Sequence, residues 1–124
     1  MRTAKISIDG RERLLCFSTR VMRACTERYG GVEKIDDVLS PNDPARALDE
    51  TIWLMAAMMD AGARYARLNG LDNPEPLSFD DLYDATGIDD LTGLKGKIAE
   101  TITNGRTPTL DAVPPKNGAA TPDA

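Results

Sequence analysis

With 124 residues and 13.4 kDa, the chain has room for one hydrophobic core and enough length to fold unaided. Hydrophobic residues at 41% against 28% charged exclude a wholly disordered chain, and a net charge of -5 with a pI near 4.7 argues against a protein that grips a phosphate backbone through lysine and arginine clusters. There is no histidine, and the two cysteines, Cys16 and Cys25, form no CxxC pair, so the common zinc ligand sets are out of reach except through carboxylates.

In the first strand, Ala4, Ile6 and Ile8 alternate with Lys5 and Ser7, the period of a sheet with one buried face. Asp9-Gly10 supplies a turn, and Arg11 to Phe17 returns as the second strand. A two-residue loop sets Ile6 opposite Arg13, whereas longer loops set it opposite Leu14 or Leu15; matching apolar to apolar favours a longer loop. Ser18 or Thr19 then caps a helix whose stripe is Val21, Met22, Cys25 and Tyr29, with Arg20, Arg23, Glu27 and Arg28 toward water. Gly30-Gly31 ends it.

Val32, Ile35, Val38 and Leu39 fall at helical spacing and predict a short helix, broken at Ser40-Pro41-Asn42. Asp43 as cap and Pro44 at the first helical position start a long helix to Asn69-Gly70. Its stripe runs Ala45, Leu48, Ile52, Met55, Ala56, Met59, Ala63 and Ala66, and between Ile52 and Met59 it is apolar all round, which makes it the core helix. Asp72 to Pro76 is a loop, and Ser78-Phe79-Asp80-Asp81 resembles a capping box that opens a short helix to Thr86. Beyond Gly87 a last helix starts at Asp89 or Asp90, carries Leu91, Leu94, Ile98 and Ile102, and ends at Asn104-Gly105.

The expected architecture is α+β: an N-terminal β-hairpin followed by a mainly helical domain of four to five helices over residues 1–105. Residues 106–124 hold four prolines and almost no large apolar residue, and are expected to form a disordered tail rich in Pro, Gly and Ala. The longest apolar run, Ile52 to Met59, is too short to cross a bilayer, and the opening Met1-Arg2-Thr3-Ala4-Lys5 has no apolar signal region. A soluble, cytoplasmic protein is expected, with both cysteines as small core residues and no disulfide required.

Candidate chemistry is sparse. Asp80, Asp81, Asp84, Asp89 and Asp90 cluster, but they lack the glycine turn and terminal glutamate of a calcium loop and suit helix N-termini. No Ser-His or Cys-His pair, GxSxG or phosphate loop is present, so no catalytic, cofactor-binding or metal residue is assigned and no enzyme is expected. The two helices flanking Gly87 could pass for a helix-turn-helix, yet residues 78–104 hold six Asp or Glu against Lys95 and Lys97, the wrong sign for a phosphate backbone. The candidate partner-binding set is Trp53, Met55, Met58 and Met59 on the long helix with Leu94 and Ile98 on the last, because methionine-rich faces suit adaptable grooves. Charge is also uneven. Residues 1–30 carry +4 and the remainder -9, consistent with a solvated surface or, more sharply, with head-to-tail self-association or docking on an acidic partner.

An Ile6-Ser7-Ile8-Asp9-Gly10 strand and turn, a second strand ending Leu14-Leu15-Cys16-Phe17, a helix ending Arg28-Tyr29-Gly30-Gly31 and further helices resemble the tail assembly chaperones of long-tailed bacteriophages, over roughly residues 3 to 105. The resemblance implies a non-enzymatic role. Many copies would coat and solubilise the tape-measure protein, recruit tail-tube subunits, associate with one another, and work in the cytoplasm of the infected bacterium without nucleic acid, membrane or cofactor. A structural adaptor or connector of a phage particle is the alternative from another class, followed by a helix-turn-helix regulator.

Overall fold

A computed structural model describes residues 2–40 and 42–110 of the chain. Asp9 and Gly10 both take positive φ, 53° and 74°, closing a two-residue loop whose twist matches that of flanking strands. It joins β1 (Thr3–Ile8) to β2 (Arg11–Cys16) in an antiparallel pair with Ile6 opposite Arg13 and Ala4 opposite Leu15. The longer loop expected from apolar matching is therefore wrong, and Arg13 explains why. Only 5% exposed, it lies on the buried face opposite Ile6, and its Nε donates to the backbone oxygen of Glu75 at 2.9 Å. A long charged side chain can bury its stem when its head finds a carbonyl.

Five helices follow among the described residues. Ser18 caps α1 (Thr19–Tyr29) by accepting from the Val21 N–H, and Gly30 ends it at φ 92°. Val21 and Cys25 are buried as expected, but Met22 is 45% exposed. A 3₁₀ turn over Val32–Lys34 leads into α2 (Ile35–Val38), which buries Ile35 and Val38. Asp43 caps α3 (Pro44–Leu68) by accepting from the Arg46 N–H, with Pro44 placed where its missing donor costs nothing. Ser78 likewise caps α4 (Phe79–Ala85). A second 3₁₀ turn, Ile88–Asp90, then feeds α5 (Leu91–Gly105).

The long helix α3 runs beside β2, and the approach is closest at Gly62, where a Cβ would stand 1.9 Å from the Leu14 carbonyl oxygen. The Leu14 N–H donates to Asn73 Oδ1 at 2.9 Å, so α3 and the loop after it cover the outer edge of β2. Helix α5 packs along β1, tied at its end by Asn104 Nδ2 donating to the Thr3 carbonyl at 2.8 Å and Arg2 Nη1 donating to the Gly105 carbonyl at 3.1 Å. A lone hairpin is marginal in water. Here the helices supply its missing layer.

The core gathers Leu15, Cys25, Leu54, Met55, Met58, Met59 and Leu82 at 0% exposure. On α3 the buried set includes Ala47 and Thr51 while Ala45 and Leu48 are exposed, so the N-terminal end of the expected stripe is displaced. Thr51 is tolerated inside because its hydroxyl donates to the Ala47 carbonyl at 2.7 Å. Among the described residues no helix is long and apolar enough to cross a membrane. Residues 106–110 follow α5 without helix or strand, and the remainder of the expected tail lies outside the described residues.

Candidate functional site

Both thiols of the chain are free and buried. Burial raises the Cys16 thiol, against a smaller lowering by Arg2, and pushes Cys25 up to about 11, so neither is poised as a nucleophile at neutral pH. Among the described residues no group of three or more His, Cys, Asp or Glu side chains could hold a metal ion.

The six side chains expected at a partner surface divide sharply. Met55, Met58 and Met59 are 0% exposed, Leu94 3% and Ile98 1%, so all five sit inside the domain and cannot meet a partner in this conformation. A helix that is apolar all round must be covered on several sides, and β2, α1, α4 and α5 cover this one. Only Trp53 keeps part of its surface. Its ring meets Tyr29 edge to face at 5.7 Å between centroids and lies under the Arg28 guanidinium, 4.4 Å from the ring centroid.

Trp53 borders a polar node that the sequence did not disclose. Glu50 of α3 is buried and accepts Arg28 Nε at 2.7 Å, Arg28 Nη2 at 3.2 Å and the Tyr29 hydroxyl at 2.6 Å. Burial raises the carboxyl, but the hydrogen bonds from Arg28 and Tyr29, with the Arg28 charge, outweigh it and hold its pKa below the ordinary value. Arg28 is exposed, as expected, with 39% of its side chain open to water, and it also bolts the end of α1 to α3.

Among the described residues, Leu68 and Leu71 are exposed at the end of α3 and Leu110 beyond α5, and apolar side chains also line open hollows at the two ends of α5. One is a groove of about 390 Å³ lined by Leu48, Ile52, Tyr83, Ile88 and Leu91, where α3, α4 and the start of α5 meet. A smaller hollow of about 210 Å³ continues it past Leu48 and Leu91 to Pro44, Ala47 and Lys95. Ile88 stands 86% exposed and Leu48 39% exposed. Beside the groove, Asp90 Oδ2 accepts the Gly87 N–H and Asp49 accepts the Tyr83 hydroxyl. That last bond, with burial as the larger cause, pushes the Tyr83 hydroxyl up to about 12.

The second surface lies at the other end of α5, a hollow of about 370 Å³ bounded by Phe17, Met22, Val32, Gly105, Arg2 and Arg106. Arg2 and Arg106 form no ion pair among the described residues, and the buried Arg2 Nε has no hydrogen-bond partner there. Compared with protein-family models, curated proteins and solved structures, the chain matches none.

Proposed function

We propose that the chain is a non-enzymatic assembly chaperone of the phage-tail kind, which coats and solubilises a tape-measure protein and recruits tail-tube subunits in the cytoplasm of an infected bacterium. One observation carries the reading: a domain with a closed, close-packed core leaves apolar side chains open at both ends of α5. Exposed apolar surface rimmed by charge marks protein contact. A coat needs such contacts with its client and with neighbouring copies, while a net charge of -5 keeps free copies dispersed. The order of hairpin, short helices and long helix adds the resemblance in layout. The contact surface proposed here runs over Met22, Leu48, Ile88 and Leu91 rather than over the methionines of α3, which the core already holds.

Co-expression of the full chain with the tape-measure protein of the same genome tests the proposal. The expected result is a client that moves from the insoluble to the soluble fraction and elutes together with many copies of the chain. A client that stays insoluble, or that becomes soluble and elutes free of the chain, would overturn it.

A further inference from the structure

We infer that the outer edge of β1 takes up an extended, basic segment of another protein as a third strand of the sheet. The site is separate from Met22 and Ile88, and it binds through backbone groups and carboxylates.

The register fixes which backbone groups are free. In an antiparallel pair, opposed residues alternate between exchanging both hydrogen bonds and exchanging none. The two-residue turn makes Ile8 and Arg11 an exchanging pair, so Ile6 with Arg13 and Ala4 with Leu15 are exchanging pairs too. Thr3, Lys5 and Ser7 therefore aim their N–H and C=O groups away from β2. Two bonds agree with this parity: the Thr3 carbonyl accepts the Asn104 side chain, and on the opposite edge the Leu14 N–H donates to Asn73. Among the described residues nothing bonds to the backbone of Lys5 or Ser7 on the outer side. Two N–H and two C=O groups at a spacing of two residues are matched by another extended chain.

Charge sets the chemistry of that chain. A hollow of about 420 Å³ lies beside Ser7, and its lining joins apolar Ile6, Ile8 and Leu94 to the carboxylates of Asp9, Asp89 and Asp90. Gly93 leaves it open, with nothing within 4 Å of where a Cβ would stand. Lys97, the cation of the lining, is engaged with Glu100 at 3.2 Å, and Lys5 on the strand with Glu12 at 3.8 Å. Asp9 and Asp89 have no cationic partner among the described residues, and Asp90 accepts the Gly87 N–H. Alternate residues of an added strand face the hollow, so an arginine or lysine there meets the carboxylates and a glutamate is repelled. A second copy of β1, paired about a two-fold, would turn uncharged Ala4, Ile6 and Ile8 to that side and leave the carboxylates unanswered.

Titration of the isotope-labelled full chain with two synthetic peptides, followed by NMR, tests the inference. Each peptide alternates threonine with valine over seven residues, and the central residue is arginine in one and glutamate in the other. In the free chain, amide exchange is expected to be fast at Lys5 and Ser7 and slow at Ile6 and Ile8. The arginine peptide is expected to slow Lys5 and Ser7 and to bind about tenfold more tightly than the glutamate peptide. Ser7→Pro removes an outward N–H without removing a ladder bond, and Gly93→Leu fills the hollow on a helix that leucine suits. Each is expected to weaken the arginine peptide about tenfold, with slow exchange at Ile6 and Ile8 as the check that the fold is kept; if Ser7→Pro loses it, Gly93→Leu decides. Lys5 and Ser7 protected in the dilute free chain, no binding of the arginine peptide at millimolar concentration, equal binding of the two peptides, or binding that survives the substitutions would each overturn the inference. Protection that grows with the concentration of the chain alone would put a second copy on the edge and overturn it as well. None of these readings involves a tape-measure client, so the outcome is independent of the proposed function.

Discussion

Gly62 on α3 and Leu14 on β2 meet backbone to backbone: a Cβ on Gly62 would stand 1.9 Å from the Leu14 carbonyl oxygen and 2.4 Å from its carbon. Glycine here serves close approach, not an unusual torsion. Gly62→Ala must push the long helix off the hairpin, at a cost of about 3 kcal/mol. Urea unfolding measures it, and a loss below about 1 kcal/mol would mean that the helix can lift without harm to the core.

Gly10 is needed for the opposite reason. Its φ is 74° and nothing lies within 4 Å of where a Cβ would sit, so Gly10→Ala pays only for the left-handed backbone, about 1 kcal/mol. The same unfolding experiment is expected to rank Gly62→Ala well above Gly10→Ala. The reverse order would contradict the two-residue turn.

Glu50 links stability to pH. Its carboxyl is held below the ordinary value of 4.5 in the folded chain, so protons bind the unfolded state more readily. The stabilisation is fully present above pH 4.5 and is lost as pH falls through the lowered folded value. Glu50→Gln is expected to cost about 1 to 2 kcal/mol at neutral pH, discounted because 39% of the Arg28 side chain is exposed. The gap between wild type and variant should narrow below pH 4.5, which unfolding curves at several pH values can follow. A gap that stays constant into acid would remove the ionised carboxylate from the explanation.

Cys16 and Cys25 are buried, and both thiols are raised by burial. A chromogenic disulfide reagent at pH 8 is expected to find no fast-reacting thiol in the native chain and two after denaturation. A rapid native reaction would show that β2 and α1 separate easily.

Much of the fold was legible because local signals agreed with tertiary demands. Asp43-Pro44, Ser78 and Gly30 each fixed a helix end by backbone chemistry that holds in any context. The hairpin register was not legible, because apolar matching cannot foresee that Arg13 buries its stem while its Nε reaches the Glu75 carbonyl. The candidate surface was misplaced for a related reason. Periodicity shows that Met55, Met58 and Met59 must be covered but cannot say whether β2, α1, α4 and α5 suffice to cover them, and they do. The groove residue Ile88 carried only a faint signal, one large apolar side chain between Gly87 and two aspartates. The Arg28–Glu50 bolt joins residues 22 apart in sequence and shows in no local pattern.

Both ends of α5 leave apolar side chains open, and the proposed function has other protein cover them. Hydrogen exchange read by mass spectrometry, on the full chain alone and in its soluble complex with the tape-measure protein, tests this most directly. Slower exchange is expected in the complex for peptides spanning Phe17–Met22 and Tyr83–Leu91, with peptides of the α3 core unchanged. Protection confined to the α3 core, or no difference at either end of α5, would contradict it.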